Sequence, residues 1–365
     1  MTTKSIRIAL FLLVILQAGL TTTASANPFE YVWQELAPGV WAGIRQDPFE
    51  LPQEGNSVFV ITEQGVVVFD AGGSPLMGES IVAKVRSLTD KPITHVIISH
   101  WHGDHMRGLQ AIQAAYPNVA IFAHPYSRDF IAATQERWLK RRVGMVPNIR
   151  KALDTALATD RDLKGRALIP EEKDWLLKGR SIIDQLDREN HRTTYVVPNA
   201  TFADRMVLYL GGRELRFLHL GNAHTAGDVI MWLPQERIVA TGDIVTAPIP
   251  LMTNPYSRDY AGVLQEIKAL GFKTLVPGHG AVQHDTAYVD LLSDTFRSVS
   301  AQMKSLIARS IQKDDAIARI DYSSVESRFT HGDAFLANRF HDYVSAALAE
   351  ATYLIESGAG ITEEF

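Results

Sequence analysis

The period of apolar and polar positions changes several times along the chain. From Val58 the pattern VFVITEQGVVVFDAGG reads as two β-branched runs broken at Gln64-Gly65, a hairpin signal, and closes on Asp70-Ala71-Gly72-Gly73. Residues 80–88 then carry apolar side chains at helical spacing, and ITHVIISH is a continuous apolar strand running into a histidine cluster. A further strand, VAIFAH, ends at His124. Between residue 125 and about residue 192 strand signals vanish. Charged helical stretches, RDFIAATQERWLKRR and PEEKDWLLKGRSIIDQLDREN, mark a helical insertion there, with Trp138 and Trp175 read as its anchors to the core. Strands resume with TTYVVP, RMVLYLGG, RELRFLHLG, DVIMWLP and RIVATGD, joined by Gly-Gly and Pro-Gln turns. Helix GVLQEIKAL and strand KTLVPGHG follow, then amphipathic helices over about 286–311 and 333–355. This order predicts two β-layers facing each other with helices outside. The last helices suit either a dimer face or a cover over the sandwich, which leaves the oligomeric state open.

Residues 1–26 differ from the rest. Lys4 and Arg7 precede an apolar run over 8–20, and a polar stretch ends in Ala24-Ser25-Ala26. This reads as an export signal cut before Asn27, with retention as a membrane anchor as the alternative. Its removal takes two basic and no acidic residues, moving the formal net charge from −5 to −7. A periplasmic or secreted chain is expected, without stable membrane insertion after cleavage. The remainder divides into a domain over 27–284, carrying the insertion at about 125–192, and a C-terminal helical extension over 285–365.

Composition narrows the chemistry. Of 365 residues 46% are hydrophobic and 21% charged, enough for one large core or two modest ones. Basic residues number 36 against 41 acidic, and no Lys/Arg cluster is dense enough to follow a phosphate backbone, so nucleic acid is not an expected partner. The absence of cysteine excludes disulfides, thiolate ligands and a cysteine nucleophile. No G-x-S-x-G serine elbow is present either.

The segment SHWHGDHMRG places His100, His102, Asp104 and His105 within six positions. His100 and His102 alternate by two at the end of an apolar strand, which puts both on one face, while Asp104 and His105 fall at the turn into a helix. A single histidine in such a loop is more often a capping or hydrogen-bonding residue. Three of them with an aspartate suit a borderline divalent ion such as zinc, with a position open for water. His224 in GNAHTAGD, Asp243 in VATGDIV and His279 in VPGHG each follow or end an apolar strand beside glycine, which allows close backbone approach. Each alone reads equally well as a turn or cap residue. Of the other histidines, only His124 lies near enough to a strand end to approach the same pocket.

The order H-x-H-x-D-H, then isolated His, Asp and His after successive strands, resembles the metallo-β-lactamase-fold hydrolases over about residues 58–280. The resemblance implies an α/β fold, α+β in some schemes, built as a four-layer αβ/βα sandwich with two metals at one edge. By it, His100, His102 and His224 hold the first metal, Asp104, His105 and His279 the second, and Asp243 bridges them. Asp104 and Asp243 are then the catalytic carboxylates. Asp70 matches the family's buried aspartate, which supports the metal loop without binding metal. The implied cofactor is two Zn2+ per chain, with iron or manganese as alternatives.

Two zinc ions about 3.5–4 Å apart make hydroxide available at neutral pH, so hydrolysis needs no protein nucleophile. Familiar lactamases of this family carry cysteine or serine at the bridging position. Aspartate there favours an ester, lactone or thioester of a small carbonyl compound, while export favours β-lactams. His102 stands where the diiron oxygen reductases have glutamate and argues against that branch. An iron-dependent sulfur-oxidising enzyme and a catalytically silent metal binder are the remaining readings. Substrate contacts are expected from the loops rimming the metal edge, with Trp101, Asn254 and Tyr256 as candidate lining residues and the insertion as a lid.

Overall fold

The computed structural model describes residues 29–361 and 363, apart from 46 and 254. The expected leader over 1–26 and Asn254 therefore lie outside the described residues. Seven strands form one sheet in chain order: β1 (Val32–Ala37), β2 (Val40–Ile44), β3 (Ser57–Ile61), β4 (Val66–Phe69), β5 (Ile93–Ile97), β6 (Ala120–Ala123) and β7 (Ala200–Thr201). A second sheet contains β8 (Arg205–Leu210), β9 (Arg213–Leu218), β10 (Ile230–Leu233), β11 (Ile238–Ala240) and β12 (Thr274–Val276), in the order β12-β11-β10-β9-β8.

The central strands of both sheets, such as β4, β10 and β11, are buried on two faces, and their alternation decides the layering. In β4, Val67 and Phe69 enter the core between the sheets, while Val66 and Val68 face the helices outside. In β10, Met231 and Leu233 meet that same inner core, and Ile230 and Trp232 face the opposite helical layer. Such strands read as continuous apolar runs because neither face meets water. The architecture is an α/β four-layer sandwich, helices–sheet–sheet–helices.

Helices α1 (Pro75–Leu88), α2 (Gly103–Met106) and α3 (Leu109–Ala115) sit with the first sheet. Ser74 starts α1 by accepting from Met77 N–H, ahead of Pro75 at the first helical position. Residues 125–192 hold α4 (Pro125–Thr159) and α5 (Pro170–Arg192), whose Ile131, Val146, Ile183 and Leu186 join the same outer core. Helices α6 (Ser257–Ala269), α7 (Ala287–Ala308), α8 (Lys313–Ala318), α9 (Ser323–Thr330), α10 (Ala334–Phe340) and α11 (Ala346–Glu356) lie with the second sheet. Apolar residues of α7, α9, α10 and α11 are buried there, so these helices cover the sandwich. Among the described residues no helix is long and apolar enough to cross a membrane.

Two local expectations are corrected. TTYVVP is extended but joins no ladder, because Thr194 N–H donates to the Gln110 side chain and Val196 and Val197 pack on the outer core instead. Strands β1 and β2 lie in a stretch to which the sequence pattern assigned nothing. Their antiparallel pairing, with Val40 opposite Val60 of β3, supplies the regularity that the short run VWAGI lacks by itself.

Candidate metal centre

β5 ends at Ile97, three residues before His100, so a loop rather than the strand's pleat brings His100 and His102 together. Their rings stand 4.6 Å apart at 76°. His102 is the residue ahead of α2, whose single turn carries Asp104 and His105. His224 lies in the loop between β9 and β10, Asp243 in a helical turn after β11, and His279 just beyond β12. The parallel pairing of β4 with β5 and of β11 with β12 sends these chain ends to one edge of the sandwich.

All seven residues meet there. His100, His102, His224 and Asp243 form one group able to hold a metal ion, and Asp104, His105, Asp243 and His279 form a second. Asp243 belongs to both through different oxygens. Its Oδ2 lies 3.9 Å from His100 Nε2 and 3.6 Å from His224 Nε2. Its Oδ1 lies 3.1 Å from His105 Nε2 and 3.5 Å from His279 Nε2. Within the groups, His224 Nε2 is 3.0 Å from His102 Nδ1, and Asp104 Oδ2 is 3.0 Å from His279 Nε2 and 3.3 Å from His105 Nε2.

A second layer sets which ring nitrogens face inward. Asp70, at φ +62°, accepts from Ser99 N–H at 2.7 Å, from Ser99 Oγ at 2.8 Å and from His105 Nδ1 at 2.8 Å. With its proton given to Asp70, Ser99 Oγ accepts from His100 Nδ1 at 2.9 Å. Both histidines thus spend Nδ1 on the scaffold and turn Nε2 toward Asp243. Gly278 lets β12 pass against this centre, since a Cβ there would stand 2.0 Å from Asp243 Oδ1.

The donor set fits a divalent cation. His100 Nε2, His105 Nε2 and Asp243 Oδ1 are buried without a hydrogen-bond partner, at a cost of about 1–3 kcal/mol apiece if nothing binds them. Burial pushes the His100 and His102 rings down, and neighbouring imidazoles add to it, taking His102 to about 3. Burial acts the same way on His105 and His279, but Asp243 and Asp104 outweigh it and raise both, His279 to about 9. Burial raises the Asp104 and Asp243 carboxyls in turn, and the imidazoles of His105 and His279 hold both well below the usual carboxylate range. Two carboxylates packed against five imidazoles, three of them held neutral by burial, make a donor set that a divalent metal ion satisfies.

A cavity of about 200 Å3 opens beside the centre, lined by Trp101, His102, Asp104, Arg107, Trp138 and Arg142 among others. The insertion contributes Trp138 and Arg142 from α4. Buried Glu54 lies 3.8 Å from Arg107 and is also faced by Arg142. Neither this acid nor its two arginines were legible in the residue pattern, because Glu54 and Arg142 reach Arg107 only through packing of elements far apart in sequence. His124 belongs to neither metal group: its Nδ1 accepts from Tyr126 N–H at the start of α4, and its ring stacks on His219 at 4.4 Å.

The family profile described as the metallo-beta-lactamase superfamily matches residues 51–279. That is more than half of the chain, and the chain belongs to this superfamily. It is similar to a linear primary-alkylsulfatase of Pseudomonas sp. (strain ATCC 19151), 23% identical over 228 residues, covering 60% of this chain and 40% of the relative. An atrochrysone carboxyl ACP thioesterase of Claviceps purpurea (strain 20.1) is 23% identical over 87 residues, 24% of this chain and 28% of the relative. The chain thus covers less than half the length of these curated relatives. Among solved structures, a stereoselective inverting sec-alkylsulfatase from Pseudomonas sp. superposes with a TM-score of 0.63 at 16% identity, over 89% of this chain and 50% of that one. At that identity the likeness concerns the fold.

Proposed function

We propose that the protein is a dinuclear zinc hydrolase cleaving an ester, lactone or thioester bond of a small molecule. The observation that carries this reading is the division of Asp243, with Oδ2 toward one ligand group and Oδ1 toward the other. His100 Nε2, His102 Nδ1 and His224 Nε2 would hold one ion, and Asp104 Oδ2, His105 Nε2 and His279 Nε2 the other. A zinc pair bound there supplies Lewis acidity and lowers the pKa of water to near neutrality. The protein's own part is positioning. Asp70 and Ser99 orient the rings, and the closed packing at Gly278 fixes Asp243. Asp104, whose side chain is 21% exposed against 3% for Asp243, is the carboxylate that reaches the cleft. The small cavity suits a small carbonyl compound. The thioesterase relative supports the acyl reading, and the leader-like residues 1–26 support a periplasmic or secreted site of action.

The alkylsulfatase similarities favour a second reading, cleavage of a sulfate ester at the same centre. Protein loaded with zinc and dialysed, counted for metal and assayed with an aliphatic lactone, a glutathione thioester, a cephalosporin and an alkyl sulfate separates these. Two zinc per chain with turnover of the lactone or thioester is expected. Cleavage of the alkyl sulfate alone moves the assignment to the second reading, cleavage of the cephalosporin alone makes it a β-lactamase, and loss of all metal on dialysis removes the centre on which each depends.

A further inference from the structure

Beyond α11 the Glu363 side chain returns to the metal edge and is held there by donors from four separate places. Its Oε2 accepts from Trp101 Nε1 at 2.6 Å, and its Oε1 accepts from Ala226 N–H at 2.7 Å. The Tyr126 and Tyr256 hydroxyls hydrogen-bond to the same carboxylate. Trp101 lies between His100 and His102, Tyr126 in the first turn of α4, Ala226 two residues past His224, and Tyr256 just before α6.

Trp101 and Tyr256 are each tied to the fold by contacts other than Glu363. The Trp101 ring lies 4.2 Å from the Phe130 ring on one side and meets the His102 ring edge-on, also at 4.2 Å, on another. Trp101 is 5% exposed, so its indole N–H has little freedom to turn elsewhere. Tyr256 N–H donates to Ala223 O at 2.8 Å, which ties its backbone to the His224 loop. All four donors are uncharged and converge on two oxygens. Such a cradle selects a small planar anion by geometry rather than by bulk charge. Trp101 also lines the cavity beside the metal centre, and Ala226 shares the loop that carries His224.

We propose that Trp101, Tyr126, Ala226 and Tyr256 form a carboxylate-binding subsite beside the metal pair, filled in this structure by Glu363, and that a carboxylate on the small-molecule ligand takes these donors when Glu363 leaves. The binding half of this proposal needs only the fold. The statement that the ligand is a substrate rests on the hydrolase reading above. A carboxylate anchored there sits next to the loop that carries His100 and His102, so the substrate class is an acid that also carries a hydrolysable ester or thioester.

The test uses the full chain loaded with zinc and labelled with 15N at its indoles, the Trp101 resonance being assigned by W101F. Propionate, which copies the Glu363 side chain, is titrated against wild type and E363A, with propionamide as the neutral control. An internal carboxylate competes at millimolar effective concentration, so E363A should respond to propionate at roughly tenfold lower concentration than wild type. Propionate should return the Trp101 N–H toward its wild-type position, propionamide should not, and Y126F or Y256F in the E363A background should weaken the response several-fold. E363Q, which keeps an acceptor oxygen without the charge, should fall between. An unmoved Trp101 resonance in E363A, equal effects of propionate and propionamide, or a tighter response to methyl sulfate than to propionate each overturns the carboxylate site. In assays, E363A should lower KM for a dicarboxylic acid monoester relative to its neutral diester. If propionate binds as stated but no ester is turned over, the hydrolase reading fails and the subsite stands.

Discussion

His105 Nδ1 and Asp70 Oδ2 are 2.8 Å apart, both fully buried, and the same carboxylate also holds Ser99 beneath His100. One aspartate that belongs to neither ligand group therefore orients one imidazole in each, His105 directly and His100 through Ser99.

Replacing Asp70 with asparagine tests that reach. Asn tolerates the positive φ that Asp70 adopts, so the backbone survives and only the acceptor pattern changes. With an amide facing His105 Nδ1 or Ser99, at least one ring loses its fixed tautomer. D70N should lower zinc affinity by about 10–100-fold, read by competition with a chromophoric chelator, with circular dichroism unchanged. Wild-type affinity would show that the rings orient themselves without it.

Asp243 and Asp104 should fail differently. Asp243 serves both groups, whereas Asp104 lies only in the second. D243A should reduce bound zinc from two to one or fewer per chain and lower kcat/KM by about a hundredfold or more, since several kcal/mol of charge stabilisation depends on the pair. D104A should keep the ion held by His100, His102 and His224. Metal counting by plasma mass spectrometry decides. Unaltered activity in D243A would refute the bridge.

How much of this centre was legible depends on distance along the chain. His100, His102, Asp104 and His105 stand together because one loop and one helical turn hold them, so local spacing carries the signal. His224, Asp243 and His279 were ambiguous singly and acquired meaning from their order after successive strands. Glu54, Arg107 and Arg142 carried none, because their company comes from packing between elements far apart in sequence. Glu363 is the extreme case, 262 positions from Trp101. Among strands, DVIMWLP was readable since both faces of β10 are apolar. TTYVVP has the same β-branched character but finds no neighbouring strand, and propensity alone cannot supply one.

The join between insertion and covering helices should be acid-sensitive. Glu172 of α5 accepts from Arg166 at 2.9 and 2.7 Å, from Ile169 N–H at 3.2 Å and from Asn338 Nδ2 of α10 at 3.0 Å. Burial raises its carboxyl, but the Arg166 and Ile169 hydrogen bonds and the Arg339 charge outweigh that and hold it below the ordinary value of 4.5. A depressed folded value contributes stability above 4.5 and loses it as pH falls through that lower value. E172Q should therefore cost about 1–3 kcal/mol at neutral pH and show a shallower loss of stability in acid than wild type. Urea unfolding across the acid range measures both. Parallel acid profiles would remove Glu172 from the join.

Gly278 offers the sharpest test of how tightly Asp243 is held. Its N–H donates to Gly242 O and Val245 O, each at 2.9 Å, and its carbonyl accepts from Asn56 N–H at 2.7 Å, so the backbone there cannot slide. A methyl group at 278 would stand 2.0 Å from Asp243 Oδ1 and 2.6 Å from the Gly242 carbonyl carbon. Turning the carboxylate about a single bond relieves the first contact, while the Gly242–Asp243 backbone, with Asp243 N at 2.8 Å, must also shift. That rotation carries Oδ1 away from His105 and His279, emptying the second group before the first. G278A should bind one zinc instead of two, lose activity to the extent D243A does, and lose about 1–3 kcal/mol of stability from overpacking. Two zinc per chain and wild-type turnover in G278A would mean that the loop yields instead, and that Asp243 is not fixed by the chain that passes over it.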